Sequence, residues 1–441
     1  VRKLRWVLIA GIAMAGVAGQ NAIAATPTAE WPVYGANSAN TRTVPGGPTA
    51  GQVPTLHVAW RDSFSDGDFT GTPIVYHGVV YVGSNGGIVR AIQARATSTH
   101  HAGAVLWMAK VAGPVDGSLA AAGASVFVPV ARLGGPELVA LNAGTGQMMW
   151  ATTLDQSTDA SVYGSPVPVA LGTGTVVLQG VSATSGDPAS LLRGSLSAVN
   201  AATGSVLWKT YMVPPGSNGG AVWSTPAVDL STGSVFVGTG NAYSGTAAPT
   251  TDAMVKLKLS NGQMLGWFQG TANDVFSSNT PGLDFDFGAS PNLMHVGGRT
   301  LIGEGQKSGS YWALDAATMK PVWHSTLGVG SVLGGVLGST AFDPATGHLY
   351  GPESVPGYVW SIAAADGSPA WVTPGGLDPA HLSPVSVSNG VVYSVTSTGF
   401  VEAWSEATGL PAGALPLNPV PPNGSYVAAL AGPSGLADLS V

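Results

Sequence analysis

A ten-residue phrase recurs along this chain. Leu141–Trp150 reads Leu-Asn-Ala-Gly-Thr-Gly-Gln-Met-Met-Trp, and Val199–Trp208, Leu314–Trp323 and Ile362–Trp371 repeat its pattern of apolar residue, short polar turn and closing Trp. Weaker copies end at Trp107 and Trp267, and a copy at Trp404–Gly409 lacks the final Trp. An internal period constrains the fold before any local detail does, because each unit must bury its apolar face against a copy of itself. The closing Trp residues are 43, 58, 59, 56 and 48 residues apart, which suits propeller blades with loops of variable length.

The other half of each repeat supplies two more strands, as in Thr72–Gly83, where Val-rich runs flank His77-Gly78. First halves begin near Thr72, Gly117, Gly164, Ser224, Gly288, Gly338 and Ser383, giving seven four-stranded units. With 63 Gly, 32 Pro and only 9% charged residues, the composition is that of an all-β chain full of tight turns. Thr55–Trp60 reads as an outer strand without a blade, and the tail after Asn423 as an inner strand without its outer one. Joined, they predict a composite eighth blade. The expectation is therefore an eight-bladed β-propeller of four-stranded antiparallel blades, forming a single domain over residues 26–441 with no linker inside it. A large ring recurring at one position of every sheet is read as packing between blades, not as chemistry.

The net charge of −7 leaves no basic footprint for nucleic acid. There is no Cys, which excludes disulfides, thiolate metal sites and Cys-based haem attachment. Residues 1–25 join a basic start, Val1–Arg5, to an apolar stretch, Trp6–Gly19, and small residues up to Ala25. This is the pattern of a secretory signal, too short for a membrane span; it predicts export to the periplasm or beyond, with no stable span after cleavage. The eight His residues show no His-Glu-x-x-His spacing.

Four phrases stand outside the blade grammar: Gly220–Asp229 around Trp223, Val237–Asn241, Gly282–Pro291 with its two Asp residues, and Glu304–Asp315 with Lys307. Trp223 breaks the closing-Trp period, and Lys307 is one of only 16 basic residues. With these phrases, and with an opening at Trp31–Arg42, the chain resembles the quinoprotein dehydrogenases from Trp31 to about residue 435. These are eight-bladed propellers that bind pyrroloquinoline quinone (PQQ) and usually Ca²⁺ on the central axis. The resemblance implies that Trp223 forms the floor under the quinone and that Asn241 presents an oxygen to calcium. It implies that Asp286, in Phe285-Asp286-Phe287, is the general base and a metal contact, with Asp284 the alternative base. Lys307 would donate to the quinone oxygens. The implied substrate is a small-molecule or polymeric alcohol, the nearest members being polyvinyl-alcohol dehydrogenases. The implied partner is a separate electron acceptor such as a cytochrome c. The chain departs from the pattern in Gly180–Arg193, where a metal-binding Glu is missing and Asp187 is the only carboxylate, and at Leu337, where polyvinyl-alcohol enzymes tend to have Trp. A second reading is a PQQ-like propeller without catalysis, acting as an envelope binding or scaffold protein.

Overall fold

In the computed structural model, each repeat closes into an antiparallel sheet. The structure describes residues 30–183, 189–373, 380–396 and 399–416, together with the backbone of 426–432 and 435–437. The expected signal segment and Asp187 lie outside the described residues. Seven four-stranded sheets follow one another, over 74–110 (blade 1), 120–153 (blade 2), 167–211 (blade 3), 227–269 (blade 4), 292–326 (blade 5), 341–372 (blade 6) and 386–416 (blade 7). Thr43–Val44 adds a short parallel strand to the edge of blade 7, and Ala160–Ser161 adds one to blade 3. In the first hairpin, Ile74–Tyr76 and Val79–Gly83 meet across His77 and Gly78, both left-handed at φ 51° and 75°. That backbone matches the twist of the flanking strands. The eighth blade of expectation is not a four-stranded sheet among the described residues. In its place His57–Ser63 pairs with Tyr426–Gly432, which pairs with Gly435–Ala437, so the two ends of the chain share a three-stranded sheet.

The recurring Trp explains how one blade holds the next. The indole N–H groups of Trp107, Trp150, Trp208, Trp323 and Trp371 donate to Ala143, Ala201, Leu259, Ala364 and Glu406, each the carbonyl just past the third strand of the following blade. Trp60, on the strand shared by the chain ends, does the same to Ala94 of blade 1. Each ring lies on a glycine of the neighbouring turn; a Cβ on Gly204 would sit 2.9 Å from the indole of Trp150. Gly204 is left-handed at φ 75°, so the turn needs glycine twice over, for conformation and for room. Trp267 is the exception. It is 48% exposed, and the residue at the glycine position of blade 5 is Met319, itself left-handed at φ 59°. The carbonyl left over, Ala316 O, is taken at 2.8 Å by the ammonium of buried Lys256.

Towards the axis, hydroxyls link the innermost segments. The backbone N–H groups of Ser118, Ser165, Thr225 and Ser290 donate in turn to the side-chain oxygens of Ser165, Thr225, Ser290 and Ser339 in the next blade, at 2.9–3.2 Å. Beyond this girdle an arm, residues 31–44, crosses the inner edges of the blades. Its carbonyls at Trp31, Pro32, Ser38, Ala39, Thr41 and Arg42 accept N–H groups from Val75, Ala121, Val228, Leu293, Phe342 and Val387, one in each of blades 1, 2, 4, 5, 6 and 7. Inner-edge strands carry unpaired N–H groups that need such partners. Asn40 caps the arrangement, its amide donating to Thr225 O, Pro226 O and Pro291 O at 3.1 Å.

Candidate active site

Blades 3, 4 and 5 deliver the site from the segments that enter and leave their inner strands. Trp223 lies just before the first strand of blade 4, Asn241 just after its second, Asp284 and Asp286 on the approach to blade 5, and Lys307 after that blade's second strand. All five line one cavity of about 270 Å³, with Tyr163, Tyr243 and Phe276 among its other walls. The sequence separates these residues by up to 84 positions, and the fold brings them together. Trp223 and Tyr163 also border a second cavity, about 240 Å³, lined by the hydroxyl girdle. Gly288 makes room for the indole, since a Cβ there would lie 2.6 Å from Trp223 Cζ2.

The polar groups are tightly cross-linked. Lys307 Nζ sits 2.9 Å from Asp284 Oδ2 and 3.5 Å from Asp286 Oδ2, and 5.2 Å from the centre of the Trp223 ring. Asp286 Oδ1 accepts the backbone N–H of Asn241 at 2.8 Å. The Asn241 amide nitrogen is committed to Ala242 O at 2.6 Å and Phe276 O at 2.7 Å. Its Oδ1 has no donor among the described residues and remains available to accept or to coordinate. Burial works against the charge on Lys307, but Asp286 and Asp284 outweigh it and the net shift of its pKa is upward. Burial, then the charge of Asp286, push Asp284 up to about 6 against the pull of Lys307. Burial likewise raises the Tyr243 phenol. Asp284 is left-handed at φ 57°, a conformation that costs a residue with a side chain about 1–2 kcal/mol.

Two residues of this region escaped the sequence. Tyr243 follows Asn241 by two and reads as an ordinary aromatic. Asp252 precedes the third strand of blade 4 in Thr250-Thr251-Asp252-Ala253 and reads as a turn former; the signal was an acid at the start of an apolar strand in a chain with few charges. It is completely buried, left-handed at φ 48°, and pushed up to about 10 by burial and by the charge of Asp286.

The donor set suits a flat quinone with a hard cation. The half-buried indole of Trp223, bordering the cavity, can meet a planar ring without needing hydrogen bonds. One ammonium stands ready for quinone oxygens, and the unpartnered Asn241 Oδ1 beside Asp286 offers the neutral and anionic oxygens a calcium-like ion takes. Asn241 and Asp286 are each at most 6% exposed, so a cation between them would be shielded from water.

Comparison with known proteins agrees with this architecture. A family model described as outer membrane protein assembly factor BamB (PQQ_2) matches residues 59–325. A polyvinylalcohol dehydrogenase from a Pseudomonas species is 28% identical over 444 residues, covering 86% of this chain and 66% of the relative. A polyvinylalcohol dehydrogenase from a Sphingopyxis species is 28% identical over 401 residues, covering 75% of this chain and 60% of the relative. The chain thus spans less than two thirds of the length of these relatives. Among solved structures, the quinohemoprotein alcohol dehydrogenase from Comamonas testosteroni superposes with a TM-score of 0.71 over 88% of this chain and 73% of that one. At 20% identity this is a likeness of fold. No helix among the described residues is long and apolar enough to cross a membrane.

Proposed function

The chain belongs to the PQQ-repeat β-propeller family, and from that premise we propose that it is a quinoprotein-type dehydrogenase oxidising an alcohol. One observation carries the reading: an indole, an amide, two carboxylates and an ammonium from separate blade segments line a single cavity. A blade scaffold has no need of that convergence. Trp223 would be the floor on which PQQ lies, and Lys307 would donate to its oxygens and balance negative charge there. Asn241 Oδ1 and Asp286 would hold Ca²⁺. When bound, the quinone supplies a two-electron acceptor that no side chain provides. Asp286 takes the proton of the alcohol hydroxyl; a placed base is typically worth about 10²–10⁴ in rate. Asp284 is the alternative base, but its close pairing with Lys307 suits it better to fixing that ammonium.

The substrate would be a small or polymeric alcohol, following the names of the curated relatives, and the electrons would pass to a separate acceptor such as a cytochrome c. Residues 1–25 would direct export to the periplasm or beyond, leaving a single propeller domain from residue 26. The three-stranded sheet uniting the chain ends would act as its eighth blade, since Trp60 docks on blade 1 as the other Trp residues dock on their neighbours. A second reading, an envelope scaffold, is favoured by the description of the matching family model. The deciding experiment is spectroscopic. Calcium-dependent uptake of PQQ by the purified chain, with dye reduction on adding an alcohol, supports the dehydrogenase; no uptake at micromolar quinone ends it in favour of the scaffold.

A further inference from the structure

Asp252 is an acid of this region to which neither the blade packing nor the proposed reaction gives a task. It is fully buried, and neither of its carboxylate oxygens has a hydrogen-bond donor. Its N–H donates to Gly240 O at 3.1 Å, while Thr239 and Ala253 exchange bonds across the same turn at 2.9 and 3.0 Å. Asp252 is thereby fastened beneath Gly240-Asn241, the turn whose next N–H holds Asp286. The hydroxyl of Thr251 is spent on Ala248 O at 2.9 Å, and the charges that bear on the Asp252 carboxyl are those of Asp286 and Asp274. Two carboxyl groups facing each other away from water cannot both carry charge unless a cation joins them. The cavity's one ammonium, Lys307, is engaged with Asp284 and Asp286. What the turn lacks is a positive charge, and it already holds the unpartnered oxygen of Asn241.

We propose that Asp252 is a further protein ligand of the cation site, holding a divalent ion of the calcium type jointly with Asp286 and the Asn241 amide oxygen. The protein would contribute two carboxylates and one amide oxygen; no group of three His, Cys, Asp or Glu side chains able to hold a metal occurs among the described residues. Hard oxygen donors of this kind select a hard cation over softer transition metals. This assignment rests on the reading that the cavity holds a metal ion, but it does not require the quinone.

The test uses the full chain without quinone and Tb³⁺, a calcium-like ion whose luminescence nearby indole rings such as Trp223 sensitise, with Ca²⁺ as competitor. Asp252→Asn, close in shape, is expected to weaken both ions by about 10–100-fold, the range typical for groups that support a metal site. It is also expected to shrink the rise in melting temperature that Ca²⁺ produces. Asp252→Gly, which relieves the left-handed backbone, is a second variant should the amide fail to fold, with the same expected loss. Asp366→Asn, at an exposed turn away from the cavity, is expected to leave both affinities unchanged. Wild-type affinity in both Asp252 variants overturns the assignment and leaves the dehydrogenase reading standing. A wild-type chain that binds neither ion removes the cation from the proposed function and this assignment with it.

Discussion

At the seam between blades 3 and 4, Trp208 lies on Gly262 and gives its indole N–H to Leu259 O at 2.9 Å. At the seam between blades 4 and 5 the equivalent Trp267 stays at the surface, because Met319 occupies the place of the glycine. Lys256 reaches the carbonyl the indole would have used. The same seam holds Glu304, fully buried with neither oxygen hydrogen-bonded, and the left-handed Asp252 and Asp284. At the regular seams the indole, the glycine and the carbonyl are matched to one another. The irregular one breaks several local rules at once and borders the cavity with Trp223, Asp286 and Lys307. Local rules broken together mark places where something other than stability has shaped the chain.

That contrast can be broken by experiment. The largest effect is expected from Asp286→Asn: turnover of a reconstituted enzyme should fall by about 10²–10⁴ while the melting temperature barely moves, because the amide oxygen still accepts the Asn241 N–H. A folded variant with full activity would shift the base to Asp284. Next, Trp150→Ala should destabilise by about 3–5 kcal/mol in denaturant melts, as for other large rings removed from packed sites, whereas Trp267→Ala should change stability by less than about 1 kcal/mol. Equal losses would show that the two seams are not different in kind. Gly204→Ala, which adds a Cβ against Trp150 at a left-handed position, should lose about 1–3 kcal/mol.

The smallest test concerns pH. The Asp284 carboxyl lies at about 6 in the fold against an ordinary 3.8, so between these values the folded chain binds the proton and the unfolded chain does not. Stability contributed by this group therefore falls as pH rises through that window. Asp155, at a regular seam, has the opposite sign. Burial raises its pKa, but bonds from Lys209 and Ser157 outweigh burial and hold it below 3.8, so its contribution is present above that pH and is lost on acidification. Asp284→Asn should gain on the wild type in melting temperature as pH climbs from about 4 to 6; a constant difference would remove the assigned shift.

The packing role of the recurring Trp was legible in the sequence because the residue repeats, and so were the five cavity residues, each sitting in a phrase that departs from the repeat; the glycine under each ring was not read. The break in pattern at Met319 was visible too, in Leu314-Asp-Ala-Ala-Thr-Met319, but its effect on Trp267 depends on where a Cβ points. Asp252 stayed hidden because an acid before a strand is also what an exposed turn looks like. The arm was hidden for a more basic reason. It works through the carbonyls of Ser38, Ala39 and Thr41, and backbone groups leave no mark in residue identity.

The arm has a consequence for how the molecule is made. Its carbonyls belong to the earliest described residues, yet the amide of Val387 that one of them must receive lies 345 positions downstream of Arg42. A growing polypeptide emerges at about 5–20 residues per second, so this stretch waits tens of seconds for its last companion. Local hairpins can form as they appear, but the drawstring is pulled only when the whole circle has been synthesised. A product truncated before Val387 therefore leaves the carbonyl of Arg42 without that N–H.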